Sequence, residues 1–587
     1  MSILIKIVRI AGFRGLNNIE VELEQTTVLT GMNNSGKTSF LKALQLALGN
    51  RLFLSQDDFY IHSKKIVIDL LIIPIGQDGK KGSEFSEDYW ERLLTTNRIR
   101  TDELGYSFVP LRTIIAFDPI KNSYKTQQYI LQAWPYFEAE DKTSWFESEN
   151  GKEMSFRFDE IPFFYMDAQR DILEDIKLKS SYLGKMLSKI EYSKEMVKEI
   201  EAQIRALNET AVSSSDILST IKTTLKELDT AMDSRSEGID ITPFTKKIRD
   251  LSKGLSIYYT DQNDSFSMEY HGMGTRSWSS LLTLKAFISF LNNNAEKDES
   301  PFFPILAIEE PEAHLHPNAQ KKLYGQINDI VGQKIISTHS PYIAAAADLK
   351  QIRNFYKDDT VHCGKIKTEQ LTAEDIRKIN RQVINTRGEI FFSKLLVFFE
   401  GETEEQALPV FAQSYFGKSP VEMGIDFVGV SGAGNYLTFL RFAESLNIPW
   451  IIISDNDKEG KIKESVKKQF DNSQSINNES DCLLFLNDGN DFEKQLICDG
   501  FNEEIKKAIL SLKTYNNEHH EKVKKPKDVT KIDSYDDEKL YEVITGDKTQ
   551  FGPLIAEEII NSGKALSPKF IELFDKIRIM LSNKEAS

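Results

Sequence analysis

Near the N-terminus apolar and polar positions alternate, as in IKIVRI and IEVEL, until the spacing changes at Gly36. Alternation with a period of two predicts strands with one buried face. Beyond Gly36, Phe40, Leu41, Leu44 and Leu48 fall on one face of a helix, and Gly49 and Asn50 supply its stop signal. Residues from about 60 to 165 mix strand-like runs such as KIVIDLLIIPIG and RTIIAF with polar connections. From Ile172 to about Met232 the character changes. Lys, Glu, Ser and Leu dominate, Ile190, Val197 and Ile204 recur every seven residues, and Ile200 and Leu207 take the companion position. This pattern predicts a helical arm, too short and irregular for a long coiled coil, and suited to a hairpin that could serve dimerisation.

Strand and helix patterns resume from about 255 to 390, and a second such region opens at FFSKLLVFFEGETEEQALPVF. Between the two, LTAEDIRKINRQVINTRGEI reads as a charged helix and marks the best boundary. The expected organisation is an α/β chain in four segments, 1–171, 172–235, 236–385 and 386–587, the second being the helical arm. The stretch NNEHHEKVKKPKDVTKID is polar, basic and contains proline, which predicts a loop or mobile insertion. No internal repeat is apparent.

Chemistry enters first at Gly31 to Thr38, GMNNSGKT, which matches G-x-x-x-x-G-K-S/T between the apolar run TTVLT and a helix. Gly31 and Gly36 let the backbone turn its N–H groups toward phosphates, with Asn34 between them. Lys37 neutralises phosphate charge, and the Thr38 hydroxyl, followed by Ser39, is placed to hold Mg²⁺. Downstream, PFFPILAIEEPEAHLHP ends an apolar strand in Glu309 and Glu310. One acid can support Mg²⁺ while its neighbour polarises the attacking water. QKIISTHSP places His339 beyond another strand, where it can sense a γ-phosphate. HGMGTRSW, with Gly272, Gly274 and Ser277, offers a second anion-binding turn.

These four elements resemble ATP-binding-cassette ATPases of the SMC and recombination-repair kind, and IEEPEAHLHP is especially similar to the branch found in OLD (overcoming lysogenization defect) proteins. The resemblance implies an ATPase head interrupted by a helical arm, with ATP sandwiched between two heads. Glu309 stands where the wider family usually has Asp, and HGMGTRSW departs from LSGGQ. The glutamine-loop residue stays open between Gln56 and Gln169.

The second region ends three apolar runs in acids. KLLVFFEGETEEQALPVF carries Glu400 and Glu404, WIIISDNDKEG carries Asp455 and Asp457, and NDFEKQL carries Asp491 and Glu493. Asp455 and Asp457, two apart on an extended chain, point the same way. Carboxylates brought together repel unless a cation neutralises them, and hard oxygen donors suit Mg²⁺ or Mn²⁺. The order E-G-x-T-E, G-x-G-N, D-N-D resembles the Toprim fold. An ATPase head followed by Toprim resembles OLD-family nucleases over essentially the whole chain. The resemblance implies two-metal phosphodiester hydrolysis on DNA, with Lys548, in TGDKTQFGPLIAEEI, as the match to the family's assisting lysine. It further implies a homo-dimer or higher homo-oligomer and a role in bacterial antiphage systems, Gabija and retron-linked ones included, with a helicase-like protein or retron nucleic acid as partner. Two rival readings are a recombination or repair ATPase whose Toprim has lost catalysis, and an ATP-dependent scaffold that binds without cutting.

Composition narrows this further. A net charge of −16 does not suit a protein coated in positive charge for sequence-independent nucleic-acid binding, though it leaves room for a local basic groove. Cys363, Cys482 and Cys498 show neither Cys-x-x-Cys nor zinc-ligand spacing. The N-terminus has no basic and apolar leader pattern, and no apolar run reaches the roughly 18 residues of a membrane span. The expectation is a soluble, cytoplasmic protein.

Overall fold

The computed structural model describes the chain except residues 1, 50–52, 62, 77–78, 87–89, 92–93, 96, 139–143, 148–150, 154–158, 179–180, 188–214, 226–237, 243–255, 262–263, 358, 382–387, 457–459, 474, 476, 516–517 and 587. It divides into two compact units, Met1–Cys363 and Gly364–Ser587, and the division falls within the strand Val361–Lys365. The boundary expected at 385/386 lies inside the second unit. The reason is a contact across sequence. The helix Ala373–Ile379 packs on the helix Tyr436–Ser445, where Thr438 donates to Asp375 at 2.6 Å and Lys378 donates to Asn435 at 2.9 Å.

The first unit is built on two large sheets. In a seven-stranded antiparallel sheet, Ser2–Ala11 lies between Ile19–Glu22 and Lys65–Ile75, followed by Ser107–Asp118, Ser123–Leu131 and Gly151–Glu153, with the short Arg100–Thr101 also paired to Ser107–Asp118. Arg112 crosses its face to make two 2.7 Å bonds to Asp69, both side chains buried. The other sheet has six strands, in the order Val361–Lys365, Ile352–Lys357, Thr26–Thr30, Gln333–Ser337, Ile305–Glu309, Phe163–Met166. From Ile352–Lys357 to Phe163–Met166 the pairing is parallel. Every residue of its three central strands is buried, which is why TTVLT, QKIIS and ILAIE do not alternate. Parallel pairing also sends their carboxyl ends to one edge, where open α/β sheets bind ligands.

Of the expected helical arm, Ile172–Lys177, Tyr182–Leu187 and Asp216–Leu225 are helical and contact the long helix Met273–Lys297. The heptad positions Ile190, Val197, Ile200, Ile204 and Leu207 lie outside the described residues.

The second unit has a four-stranded, wholly parallel sheet in the order Ile425–Gly429, Leu395–Phe399, Trp450–Ser454, Leu483–Phe485. One core joins Val397, Phe399, Ile451 and Leu484 of the sheet to Phe411, Ile555 and Phe570 of the surrounding helices. The stretch expected as a loop is instead the helix Glu518–Asp533, with Pro526 inside it. Proline at 526 removes the bond to the carbonyl of Lys522, a residue exposed to water, so the lost partner is replaceable there. Buried Ile532 anchors the helix end. Among the described residues no helix is long and apolar enough to cross a membrane.

Candidate functional site

At the carboxyl end of Thr26–Thr30 the chain enters the loop that leads to the helix Lys37–Ala47. Gly31 has a φ of 128°, and a Cβ there would stand 2.1 Å from the carbonyl oxygen of Phe355. Asn34 and Gly36 also take positive φ, 61° and 99°. The loop thereby wraps around the buried Lys37, whose ammonium donates to the carbonyls of Gly31 at 2.8 Å and Met32 at 2.9 Å. Burial pushes Lys37 down to about 8, against the attraction of Glu310, Glu312 and Glu309. Asn34, Gly36, Lys37, Thr38, Ser39, Glu310 and His339 all line one cleft of about 580 Å³.

Glu309 ends its strand buried and against Thr38. Burial raises its carboxyl, opposed by the hydroxyls of Thr38 and Tyr165. Glu310 follows with a φ of 40°, its N–H bonded to the Ser337 carbonyl at 2.8 Å. Burial and the Lys37 charge hold His339 below the usual imidazole range, with Glu310 opposing. Sequence reasoning passed over Glu312. It accepts from the Thr338 hydroxyl at 2.8 Å and from the His339 N–H at 2.7 Å, and so fixes the backbone that carries His339. Its position directly after Pro311 was the available signal.

The expected turn at HGMGTRSW is the start of a helix. Gly272 caps Met273–Lys297 and Gly274 lies in its first turn. A Cβ on Gly274 would stand 2.4 Å from the carbonyl oxygen of His314, so glycine there lets this helix approach the 312–316 segment. Neither glycine lines the cleft, nor do Gln56 and Gln169, both of which are exposed.

In the second unit the carboxyl ends of the strands gather acids. Glu400 follows Leu395–Phe399, and its Oε1 accepts from the Ser454 hydroxyl at 2.6 Å. Glu404 lies in the first turn of the helix Glu402–Phe416 and is buried. Asp455 follows Trp450–Ser454. Asp491 caps the helix Phe492–Cys498 and accepts from the Tyr541 hydroxyl at 2.5 Å. Glu493, 1% exposed, accepts from Thr403 Oγ1 at 2.5 Å and from Lys548 Nζ at 3.1 Å. Thr403 and Tyr541 carry no local sign of this role, since each comes from a helix far away in sequence.

Electrostatics ties the group together. Burial, then the charges of Glu404, Glu400, Asp491 and Glu493, push Asp455 up to about 9. Burial and Glu493 push Glu404 up to about 7, opposed by Lys548 and reinforced by Glu400. Lys548 loses by burial but gains more from Glu493, Asp491 and Glu404, so its ammonium is held above the usual range.

Between Asp455 and Asp457 stands Asn456, buried, which donates to the Leu486 carbonyl at 3.1 Å and to Asp488 at 2.6 Å. It joins two strand ends. Asp457 lies outside the described residues, and among the described residues no three His, Cys, Asp or Glu side chains stand together as an ion-holding group. The donor chemistry nevertheless fits a hard divalent ion. All the acids offer oxygen, the charges of Glu400 and Glu493 raise the proton affinity of Asp455 and Glu404, and the buried Oδ1 of Asp455 has no hydrogen-bond partner among the described residues.

Comparison with known proteins finds two domain families along the chain. An AAA ATPase domain matches residues 4–344, and an overcoming lysogenization defect protein-like TOPRIM domain matches residues 391–457. The OLD nuclease of Thermus scotoductus is 22% identical over 488 residues, 77% of this chain and 82% of the relative. Endonuclease GajA of Bacillus cereus is 24% identical over 490 residues, 77% of this chain and 75% of the relative. Among solved structures, an SMC head bound to the C-winged helix domain of ScpA is 16% identical, with a TM-score of 0.38, covering 63% of this chain and 100% of that one.

Proposed function

Because the chain belongs to the AAA ATPase domain family and carries an OLD-like TOPRIM domain, we propose that it is an ATP-regulated, divalent-metal-dependent DNA endonuclease. The observation that carries this reading is that Glu400 and Asp455 follow neighbouring parallel strands, with Glu404, Asp491 and Glu493 near enough for their charges to raise the Asp455 carboxyl and with Lys548 bonded to Glu493. The names of the relatives, OLD nuclease and endonuclease GajA, support the nuclease assignment.

The acids that would hold Mg²⁺ or Mn²⁺ are Glu400, Glu404, Asp455, Asp457, Asp491 and Glu493. Such an ion, when bound, supplies an activated water and charge stabilisation at the leaving oxygen of a phosphodiester. The chain's own residues do the rest. Tyr541 and Thr403 orient Asp491 and Glu493. Lys548 carries a positive charge beside the acids, placed to meet the negative charge that builds on a phosphate in the transition state. Asp455 and Glu404, whose protons are held by burial and mutual repulsion, release them as cation is taken up.

In the first unit the N–H groups of residues 31–38, with Asn34 and Lys37, would cradle the phosphates of ATP. Thr38 and Glu309 would hold Mg²⁺, Glu310 would orient the attacking water, and His339 would face the γ-phosphate. Gly272 and Gly274 would act on the nucleotide of a second copy, which makes the working form a homo-oligomer. Bacterial antiphage defence is the setting that the resemblance to OLD nucleases supports.

The test is cleavage of supercoiled plasmid by the full chain with Mg²⁺ or Mn²⁺, with and without ATP, beside Asp455→Ala. Nicking or linearisation that needs metal and disappears in the variant is the expected result. A wild-type chain that binds metal and DNA yet never cuts would transfer the reading to an ATPase with a non-cleaving Toprim domain.

A further inference from the structure

Arg170 is 7% exposed and, among the described residues, has no carboxylate in ion-pair contact. Its guanidinium instead serves carbonyls. Nη1 donates to Asp167 and Glu309, each at 3.0 Å, and Nη2 donates to Glu310 at 3.3 Å and Pro311 at 2.7 Å. Nε is buried without a hydrogen-bond partner among the described residues. Burial pushes the guanidinium down to about 10, against the attraction of Glu312, Asp167 and Glu310. A buried cation that gains only neutral partners is a poor stabiliser beside an apolar side chain of similar size, so packing alone does not account for it.

What it holds is unusual backbone. The three consecutive carbonyls it gathers belong to Glu309, Glu310 and Pro311, and Glu310 sits at φ 40°, in the left-handed region that glutamate seldom occupies. Strain of this kind persists where surrounding contacts over-determine it. Here the contacts are Arg170 on one side and the Glu310 N–H bond to Ser337 on the other.

The next residue extends the connection. Asp171 caps the helix Ile172–Lys177 and accepts two bonds from Arg276, one from Nε at 2.9 Å and one from Nη2. Arg276 lies in the first turn of the helix that Gly272 caps. Residues 170 and 171 therefore link the backbone of Glu310 to the beginning of that helix.

We propose that Arg170 is the positioning residue that holds Glu310 toward the nucleotide cleft, and that the Asp171–Arg276 pair makes this position depend on the seating of the helix beginning at Gly272. The inference rests on the nucleotide-site reading above. A shift of the helix start pulls Asp171, Arg170 follows, the carbonyls of 309–311 turn, and the Glu310 carboxylate leaves the cleft. Hydrolysis is thereby tied to whatever engages the Gly272 end.

Steady-state ATP hydrolysis by the full chain, with binding of a non-hydrolysable ATP analogue measured in parallel, tests this. Arg170→Met is expected to lower kcat about 100-fold, the scale of a small misplacement of a reacting group, with KM for ATP and analogue affinity unchanged. Arg170→Lys recovers part of the rate, because an ammonium still reaches some of the carbonyls. Asp171→Asn and Arg276→Met lower kcat in the same direction by less. Arg170→Met in a Glu310→Gln background causes no further loss. Wild-type kcat in Arg170→Met, or a fall in analogue affinity as large as the fall in kcat, overturns the proposal. If Arg170→Met does not fold, wild-type kcat in both Arg170→Lys and Arg276→Met overturns it. A wild-type chain that binds ATP without hydrolysing it removes the hydrolytic reading itself, a result that no Arg170 variant can mimic.

Discussion

The two sites share a scaffold and differ in sign. Each lies where parallel strands end, and each joins acids to a lysine. In the first unit burial raises Glu309 and Glu312, and it also works strongly against the lysine. Lys37 is buried against the carbonyl oxygens of Gly31 and Met32 and pushed down to about 8, while Glu310 stands at the cleft wall. In the second the acids are under stress, with Asp455 pushed up to about 9 and Glu404 to about 7. The parallel sheet supplies convergence in both. Which ion a site is built for follows from which charge the fold has buried ahead of its ligand: a cation awaiting phosphate in one, acids awaiting a divalent ion in the other.

The sharpest way to break this comparison is to remove one stressed group at a time. Asp455→Ala should reduce plasmid cleavage to background while ATP hydrolysis by the same preparation stays at the wild-type level. Lys37→Ala should weaken ATP binding by about 100-fold, the order expected when a group on a buried phosphate charge is lost, and should abolish the response of cleavage to ATP while leaving the cleavage seen without ATP in place. Equal loss of both activities in either variant would mean that the two sites are not separable in this way.

A smaller effect is expected from the partners that orient the acids. Tyr541→Phe deletes the 2.5 Å bond to Asp491 without emptying space. The concentration of Mg²⁺ needed for half-maximal cleavage should rise about 10-fold, in the range of lost outer hydrogen bonds around metal ligands. An unchanged metal requirement would remove Asp491 from the ion-holding set.

The smallest effect sharpens the electrostatic half of the comparison. Asp455 and Glu404 have folded-state values above their ordinary ones, so over that window the folded chain holds protons that the unfolded chain has released. Stability in EDTA should therefore fall as pH rises from about 5 to about 9, because the unfolded state then binds fewer protons than the native one. Mg²⁺ should raise Tm more at the upper end of that range than at the lower, and Asp455→Asn should flatten the dependence. Thermal unfolding across pH with and without Mg²⁺ reads this directly, and a slope of opposite sign would contradict the assignment of buried, mutually repelling acids.

Much of this protein was determined by contiguous sequence. The loop from Gly31 to Thr38, the buried parallel strands and the acids that end them all follow from spacing within a few residues, because period, turn chemistry and strand direction are local properties of the chain. The same locality misled at Glu518–Asp533, where a proline and a run of lysines read as a loop but form a helix whose freed carbonyl faces water. The packing of Ala373–Ile379, ahead of the boundary expected at 385/386, on Tyr436–Ser445 beyond it is likewise a contact across sequence. Arg170 reaches the carbonyl of Glu309 139 residues away, and Thr403 reaches Glu493 90 residues away. Such contacts leave no periodic trace. Only the tertiary structure decided which acids are buried together, which way their protons are held, and that Glu312, Arg170 and Tyr541 hold the others in place. Desolvation and Coulomb interaction depend on distance through space, and the chain specifies that distance only once it has folded.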